Sequence, residues 1–148
     1  MECCADQEPL CRLIYCSGQE LRTLAERVLC PHALTVEQFH LLKELSTDCG
    51  LTQRRLGELV GKGPANLTRM LDRLEAKALV ERRPDPADRR ASLVFLTDQG
   101  KNLVGEVVGV FESFAAGLVL GISETEQQAI RVAFGKLRRN IEKLSREL

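Results

Sequence analysis

The sequence predicts a mainly α-helical fold that carries one small β-hairpin. Along most of the 148 residues, apolar side chains recur at steps of three and four, which is the spacing of amphipathic helices. Between residues 79 and 96 the spacing changes to that of short strands. Hydrophobic residues make up 44% of the chain and charged residues 28%, so we expect one domain folded around a real core.

Two helices are expected in the first third of the chain. The first runs from Pro9 to Leu29 and ends at Cys30-Pro31-His32, because a proline disfavours helix at the residue before it. The second begins after Thr35, which is a good N-cap residue. It ends near Gly50, because glycine is common just past the end of a helix.

A helix-turn-helix pattern follows. Thr52 caps a short third helix, Gly61-Lys62-Gly63 forms the turn, and Pro64 suits the first position of the fourth helix. Over residues 64–77 the fourth helix is expected to bury one face and to expose a polar one. The buried set is Leu67, Met70, Leu71 and Leu74, and the exposed set is Asn66, Thr68, Arg69, Asp72 and Arg73.

The change of spacing predicts a β-hairpin. The two runs that read as short strands are Leu79–Arg83 and Ser92–Leu96. Between them lies the charged loop Pro84-Asp85-Pro86-Ala87-Asp88-Arg89-Arg90, whose prolines are typical of an irregular connection. We therefore expect a hairpin with a long tip and not a tight turn.

Two long helices complete the chain. The fifth starts at Thr97, and the sixth starts at Ser123, where Ser123-Glu124-Thr125-Glu126 fits a capping box. Apolar residues of the sixth helix alternate between steps of four and three, which is the spacing of a coiled-coil seam. They are Ile130, Phe134, Leu137, Ile141, Leu144 and Leu148. This seam fits packing within one chain or contact between two copies, and we favour the dimer.

Positive charge is concentrated in one part of a neutral chain. Lys and Arg number 21, as do Asp and Glu. From Gly50 to Ser92 there are ten bases and six acids, so the rest of the chain carries a matching negative excess. The basic part coincides with the helix-turn-helix and the hairpin, a shape that enters a DNA major groove and flanks it. A helical protein-interaction module without DNA binding is the alternative, and the arginines of the loop argue against it.

Several function classes find no support. No Ser/His/Asp arrangement, glycine-rich phosphate loop or paired-carboxylate motif stands out, so we expect neither an enzyme nor a cofactor. Cys30, His32 and His40 offer too few firm ligands for a metal site. The longest apolar run, 114–122, is far shorter than the ~18 residues that a membrane helix needs. With no signal peptide either, we expect a cytoplasmic protein with no membrane partner.

Three stretches carry a family resemblance. The first stretch is Leu51-Thr52, which opens the first helix of the helix-turn-helix. The second runs from Leu71 to Arg82 and covers the end of the fourth helix and the first strand. The third is Asp85-Pro86-Ala87-Asp88-Arg89-Arg90, followed by Leu93, Leu96-Thr97 and Gly100. Together they resemble the MarR family of winged-helix transcriptional regulators, over essentially the whole chain. Ala78 departs from the pattern, since the family commonly has glycine there and glycine eases a left-handed helix end.

The resemblance implies a winged helix-turn-helix lobe over residues 34–96 and dimerisation helices over 1–33 and 97–148, all within a single domain. It implies a homodimer that binds double-stranded DNA at a pseudo-palindromic operator and usually represses nearby genes. Helix 64–77 would read the major groove, while Arg90 would enter the minor groove with Asp88 holding it in place. The candidate DNA-binding residues are Pro64, Asn66, Thr68, Arg69, Arg73, Asp88, Arg89 and Arg90.

The signal is left open between an oxidant and a small molecule. All six cysteines, Cys3, Cys4, Cys11, Cys16, Cys30 and Cys49, lie in the first third of the chain, where ordinary packing or a reduced tail would explain them. Residues 10–17 resemble the first helix of the thiol-based peroxide-sensing branch of the family. In that branch a cysteine at the position of Cys11 is oxidised, and a tyrosine at the position of Tyr15 helps to hold that cysteine in place. Cys11, Tyr15 and Cys16 are therefore candidate redox residues, and a phenolic or aromatic ligand between the dimerisation helices and the DNA-binding lobe is the alternative.

Overall fold

The computed structural model describes residues 9–48, 50–88 and 90–148, and it is mainly helical with one small antiparallel sheet. The predicted fold class is confirmed. In chain order the elements are α1 (Leu10–Leu29), a 3-10 turn (Cys30–His32), α2 (Val36–Thr47), β1 (Leu51–Thr52), α3 (Gln53–Val60), α4 (Pro64–Ala76), β2 (Val80–Pro84), β3 (Ser92–Leu96), α5 (Asp98–Leu118) and α6 (Glu124–Glu147).

Local capping chemistry starts the helices where the sequence predicts. Thr35 caps α2 in a capping box with Gln38, and the Thr52 hydroxyl accepts the backbone N–H of Arg55 at the start of α3. Ser123 and Glu126 form the expected capping box of α6. There the Ser123 hydroxyl and backbone N–H both donate to Glu126, and these bonds lower the pKa of its carboxyl.

The end of α1 differs in detail from the prediction. The helix stops at Leu29 as expected, but Cys30 keeps right-handed helical angles, with φ −55° and ψ −43°, although a proline follows it. Pro31 is instead accommodated in the 3-10 turn, which ends at Ala33 with a left-handed φ of 54°. The carbonyl of Ala33 accepts the Lys77 ammonium at 2.6 Å, so the turn is tied to the end of α4.

The predicted hairpin is present, and a third strand completes the sheet. The strand order is β1-β3-β2, and both pairings are antiparallel. β3 spans the predicted residues, whereas β2 lies one residue later than predicted, because Pro84 still aligns with Ser92. The strand β1 was not predicted, and its two residues pair with Leu93 and Val94.

The core packs the helix-turn-helix against the sheet. Leu67, Leu71 and Leu74 of α4 are buried as predicted, but Met70 is only partly buried because it packs at the edge of the core. The fully buried side chains also come from the first helices, the sheet and α5, and they include Leu29, Phe39, Leu42, Leu56, Val94 and Val107. This packing fixes which face of α4 is turned outward.

The end of α4 is joined directly to the start of α5. Ala78 adopts the left-handed φ of 54° at the departure noted in the sequence, and Leu79 N–H bonds back to the Leu74 carbonyl at 3.0 Å, a Schellman closure. Thr97 then donates its hydroxyl to the Ala78 carbonyl at 2.6 Å and its N–H to the Leu79 carbonyl at 3.1 Å. A Cβ on Gly100 would lie 2.1 Å from that Leu79 oxygen, so only glycine fits this position.

The described residues fall into two compact units, one ending at Glu112 and the other comprising Ser113–Leu148. In the second unit, α6 leaves much of its predicted seam open to solvent. Ile130, Phe134, Ile141 and Leu144 are each about half exposed. Within the described part of the chain, no helix is long and apolar enough to cross a membrane.

Candidate nucleic-acid interface

The outward face of α4 presents several of the predicted site residues together. Pro64 stands at the first position of the helix, and Asn66, Thr68, Arg69 and Arg73 are all exposed. The buried leucines on the opposite side hold the helix in this orientation. A rigid helix with an exposed polar face is what a DNA groove reader requires.

Asn66 and Arg69 are linked on this face. The Nη2 atom of Arg69 donates to Oδ1 of Asn66 at 2.7 Å, which holds the guanidinium along the helix. With Arg73 they border a cavity of about 400 Å³ beside the start of α2. This half of the α4 face is therefore polar, cationic and open.

Thr68 is held by two hydrogen bonds. Its hydroxyl donates to the Pro64 carbonyl at 2.9 Å and accepts Nε2 of Gln53 at 2.7 Å. Gln53, the first residue of α3, was not among the predicted site residues. Sequence reasoning missed it because the contact joins residues fifteen apart, and only its place just after the Thr52 cap could have drawn attention to it.

Arg82 neutralises the acidic side of α4. Its guanidinium bonds Asp72 at 2.7 Å and Glu75 at 2.9 Å, and its Nη2 also donates to the Thr68 carbonyl at 3.3 Å. Arg82 is one of the ten bases between Gly50 and Ser92. In the structure its charge is neutralised by Asp72 and Glu75. Because these two carboxylates are paired, they repel an anion that approaches α4 less strongly.

The hairpin tip is shaped by two aspartates. Oδ1 of Asp85 accepts the backbone N–H of Ala87 at 2.8 Å, and Oδ1 of Asp88 accepts that of Arg90 at 2.9 Å. Asp88 thus acts on the backbone of Arg90, whose side chain is exposed. Arg89, another predicted site residue, lies outside the described residues.

A cation is also fixed near the tip of the hairpin, at the last residue but one of β2. The guanidinium carbon of Arg83 lies 4.9 Å from the centre of the Phe95 ring, and the same group pairs with Glu81. Both contacts orient Arg83 along the sheet. Its charge is compensated locally by Glu81.

The candidate redox residues lie on α1. Cys11 is an exposed free thiol and Cys16 a partly buried one, while the hydroxyl of Tyr15 accepts Nε2 of Gln19 at 3.2 Å. This hydrogen bond joins Tyr15 to Gln19, one turn further along α1, and not to Cys11. Cys30 is a further exposed free thiol, and Cys3, Cys4 and Cys49 lie outside the described residues.

The residues considered for a metal have other contacts. Nδ1 of His32 lies 3.5 Å from Oε1 of Glu106, and the ring of His40 stands edge-on to that of Phe111. Across residues 9–48, 50–88 and 90–148, no three His, Cys, Asp or Glu side chains are grouped closely enough to hold a metal ion.

The chain is similar in sequence to known transcriptional regulators. Residues 34–92 match the family model described as "MarR family". The multiple antibiotic resistance protein MarR of Salmonella typhimurium is 39% identical over 92 residues, which cover 62% of this chain and 64% of that protein. The aligned part thus spans less than two thirds of this relative. The HTH-type transcriptional regulator YwaE of Bacillus subtilis is 30% identical over 129 residues, or 86% of this chain and 75% of that one.

A solved structure extends the likeness to the fold. A mutant MarR of Escherichia coli in complex with operator DNA aligns with a TM-score of 0.81 and 30% sequence identity. The alignment covers 87% of this chain and 93% of that one. The shared region therefore takes in the helix-turn-helix and the hairpin together with flanking helices.

Proposed function

The chain belongs to the MarR family, and from this membership we propose that it is a transcriptional regulator that binds double-stranded DNA in a sequence-specific way. It acts as a homodimer on a pseudo-palindromic operator and represses the genes beside it. The operator complex of the related mutant MarR supports the choice of partner. The proposal assigns no catalytic step to the chain.

The exposed cationic face of α4 carries the proposal. Arg69 and Arg73 are exposed on a helix whose other face is buried in the core. The neighbouring carboxylates of Asp72 and Glu75 are paired with Arg82. Guanidinium groups can bond guanine edges or phosphates in the major groove. α4 is therefore assigned as the recognition helix.

The hairpin serves as the wing. Asp85 and Asp88 fold its tip through backbone bonds, which leaves the side chain of Arg90 exposed at the end of a constrained loop. An arginine suits the narrow minor groove, where the negative potential is enhanced. In this assignment Arg90 enters the minor groove beside the half-site that α4 reads.

The terminal helices supply the dimer contact, over 1–33 and 97–148. The half-exposed apolar seam of α6 is a surface that water solvates poorly, and a second copy of the chain would bury it. Dimerisation also brings two recognition helices to the spacing that two half-sites require.

Binding to DNA tests the proposal directly. The full chain is used to select duplexes from a random library, and affinity for the selected operator is measured by fluorescence anisotropy at several salt concentrations. We expect affinity to fall steeply with salt, because counterions are released from the phosphates. Arg69→Ala should weaken binding, while Lys43→Ala, which is exposed on α2 and lies outside both α4 and the proposed dimerisation helices, serves as a control. If DNA is bound neither selectively nor in a salt-dependent way, the protein-interaction module replaces this proposal.

Thiol oxidation is the first proposed signal. Cys11 is exposed on α1, within the segment that resembles the peroxide sensors. Oxidation by a hydroperoxide forms a sulfenic acid on the thiolate, with the peroxide reduced to an alcohol or water. The new polar group on a proposed dimerisation helix would favour a different spacing of the two recognition helices, and DNA would be released.

A small aromatic or phenolic ligand is the second proposed signal. A cavity of about 570 Å³ lies between α1, α2 and α3, and its lining combines apolar residues with bases and with the acids Glu37 and Glu44. Val36, Leu59 and Val60 would contact a ring, and Lys43 would face its phenolic oxygen, since Lys62 already pairs with Glu37 at 3.9 Å. Release of DNA by such a ligand in a variant without Cys11 would favour this signal over the thiol.

A further inference from the structure

Gln53 occupies a place from which it can contribute to base recognition. It is the first residue of α3 and is only partly buried. Its side chain reaches α4 and donates through Nε2 to the Thr68 hydroxyl at 2.7 Å. An amide from the supporting helix is thus fixed against the outward face of the recognition helix.

The hydrogen bonds of Thr68 limit what that residue can do itself. A threonine hydroxyl has one proton and two lone pairs. The proton is used on the Pro64 carbonyl, and one lone pair accepts Gln53. Thr68 therefore has no proton left to donate to guanine or thymine oxygens, and its role toward Gln53 is to orient the amide.

The amide of Gln53 retains the groups that adenine requires. Nε2 carries two protons, of which one is used on Thr68, and Oε1 has two lone pairs. Adenine offers an N6–H donor and an N7 acceptor in the major groove, which a glutamine amide matches with two bonds. Guanine offers two acceptors there and would leave Oε1 facing an acceptor.

We infer that Gln53 is a specificity-determining residue that reads one adenine in each half-site, and that Thr68 is its positioning residue. This inference rests on the proposed function, since α4 must lie in the major groove for Gln53 to approach a base. It adds a reader on α3 to those on α4.

Single-base variants of the selected operator provide the test. For the wild-type chain, replacing the A·T pair at one symmetric position should weaken binding by about tenfold. Gln53→Ala should abolish that preference and leave the other positions unchanged. Gln53→Glu should shift it toward cytosine, because a carboxylate accepts from the N4 amino group. Arg54→Ala, at the next residue of α3, is the matched control and should leave the preference intact.

Two substitutions of Thr68 separate positioning from a merely structural effect. Thr68→Ser keeps the hydroxyl and should keep the adenine preference, whereas Thr68→Val removes the acceptor of the Gln53 bond and should reduce it. Thermal melts of all variants check that they fold. An unchanged base profile in Gln53→Ala, or an equal loss for every sequence as expected for a phosphate contact, would overturn the inference while the proposed function stands. Absence of selective DNA binding by the wild type would overturn both.

Discussion

Arg82 on β2 bonds Asp72 on α4 through Nη2 and Oδ1 at 2.7 Å, and this pair joins the hairpin to α4. The same side chain bonds Glu75, and it is only 22% exposed. Among the described residues its Nε is buried without a hydrogen-bond partner, so the guanidinium is held by the carboxylates at its other end. One cation therefore adds a polar link to the core packing that holds the hairpin against α4.

Replacing Arg82 with Ala should destabilise the protein by about 1–3 kcal/mol, because several charge-assisted hydrogen bonds are lost from a partly buried site. Denaturant unfolding of the variant measures this loss. Arg83→Ala, one residue on and exposed, should cost far less. Combining Arg82→Ala with Asp72→Ala should cost less than the sum of the two, since they share one interaction. Simple additivity would mean that the pair contributes nothing.

Replacing Arg90 with Ala should weaken operator binding by about tenfold and lower the salt dependence by about one counterion per protomer. The reason is the loss of one groove cation with no change in the core, since Arg90 is exposed. Anisotropy titrations across salt concentrations measure both quantities. An unaltered affinity, with the circular-dichroism melt intact, would remove the wing from the mechanism.

Replacing Ala78 with Gly should stabilise the chain by about 1 kcal/mol. Ala78 has a φ of 54°, and the left-handed region costs a residue with a Cβ about 1–2 kcal/mol. Thermal unfolding provides the comparison. Ala65→Gly, within α4 and at ordinary helical angles, should instead destabilise by up to about 1 kcal/mol. A lower melting temperature for Ala78→Gly would show that the left-handed turn carries no strain.

Placing two carboxylates on the α6 seam, as Phe134→Glu with Ile141→Glu, should convert the dimer to a monomer. Each charge would have to be buried without a partner in the interface. Light scattering after size exclusion measures the mass, and operator binding should fall with it because one half-site per molecule remains. Gln128→Glu adds a charge to an exposed position outside the seam and should stay dimeric. A doubly charged variant of undiminished mass would refute the assigned interface.

Hydroperoxide should release the wild-type protein from its operator, and a thiol reductant should restore binding if oxidation stops before the sulfinic acid. Cys11→Ser should remain bound under the same treatment. Cys16→Ser is the control, because residues five apart on a helix point in different directions. Equal release of Cys11→Ser and wild type by peroxide would eliminate the thiol switch and leave the small ligand as the signal.

The parts of the fold that sequence predicts are those with local causes. Thr35, Thr52 and Ser123 cap helices through bonds to residues three positions on, so short motifs suffice to place these helix starts. The strand β1 depends on pairing with residues more than forty positions away, and nothing in Leu51-Thr52 alone favours a strand. Local chemistry therefore predicts the helices better than it predicts the edge of the sheet.

The candidate site divides in the same way. Asn66, Arg69 and Arg73 follow from helical periodicity, because the buried leucines determine which face remains outside. The role of Arg82 cannot be predicted from the sequence in this way, because a count of charges does not distinguish a cation that is paired within the protein from one that is free. Gln53 was missed for a related reason, because its contact with Thr68 exists only once α3 and α4 are packed.

The joint at Gly100 has a mechanical consequence. The carbonyls of Ala78 and Leu79, just after α4, are hydrogen-bonded directly to Thr97, just before α5. The Leu79 carbonyl also lies so close to Gly100 that the two segments have no room to slide past each other. An axial push or a twist applied to the first turn of α5 is therefore transmitted to the end of α4 and not absorbed. The joint therefore acts as a stiff coupling between α5 and α4.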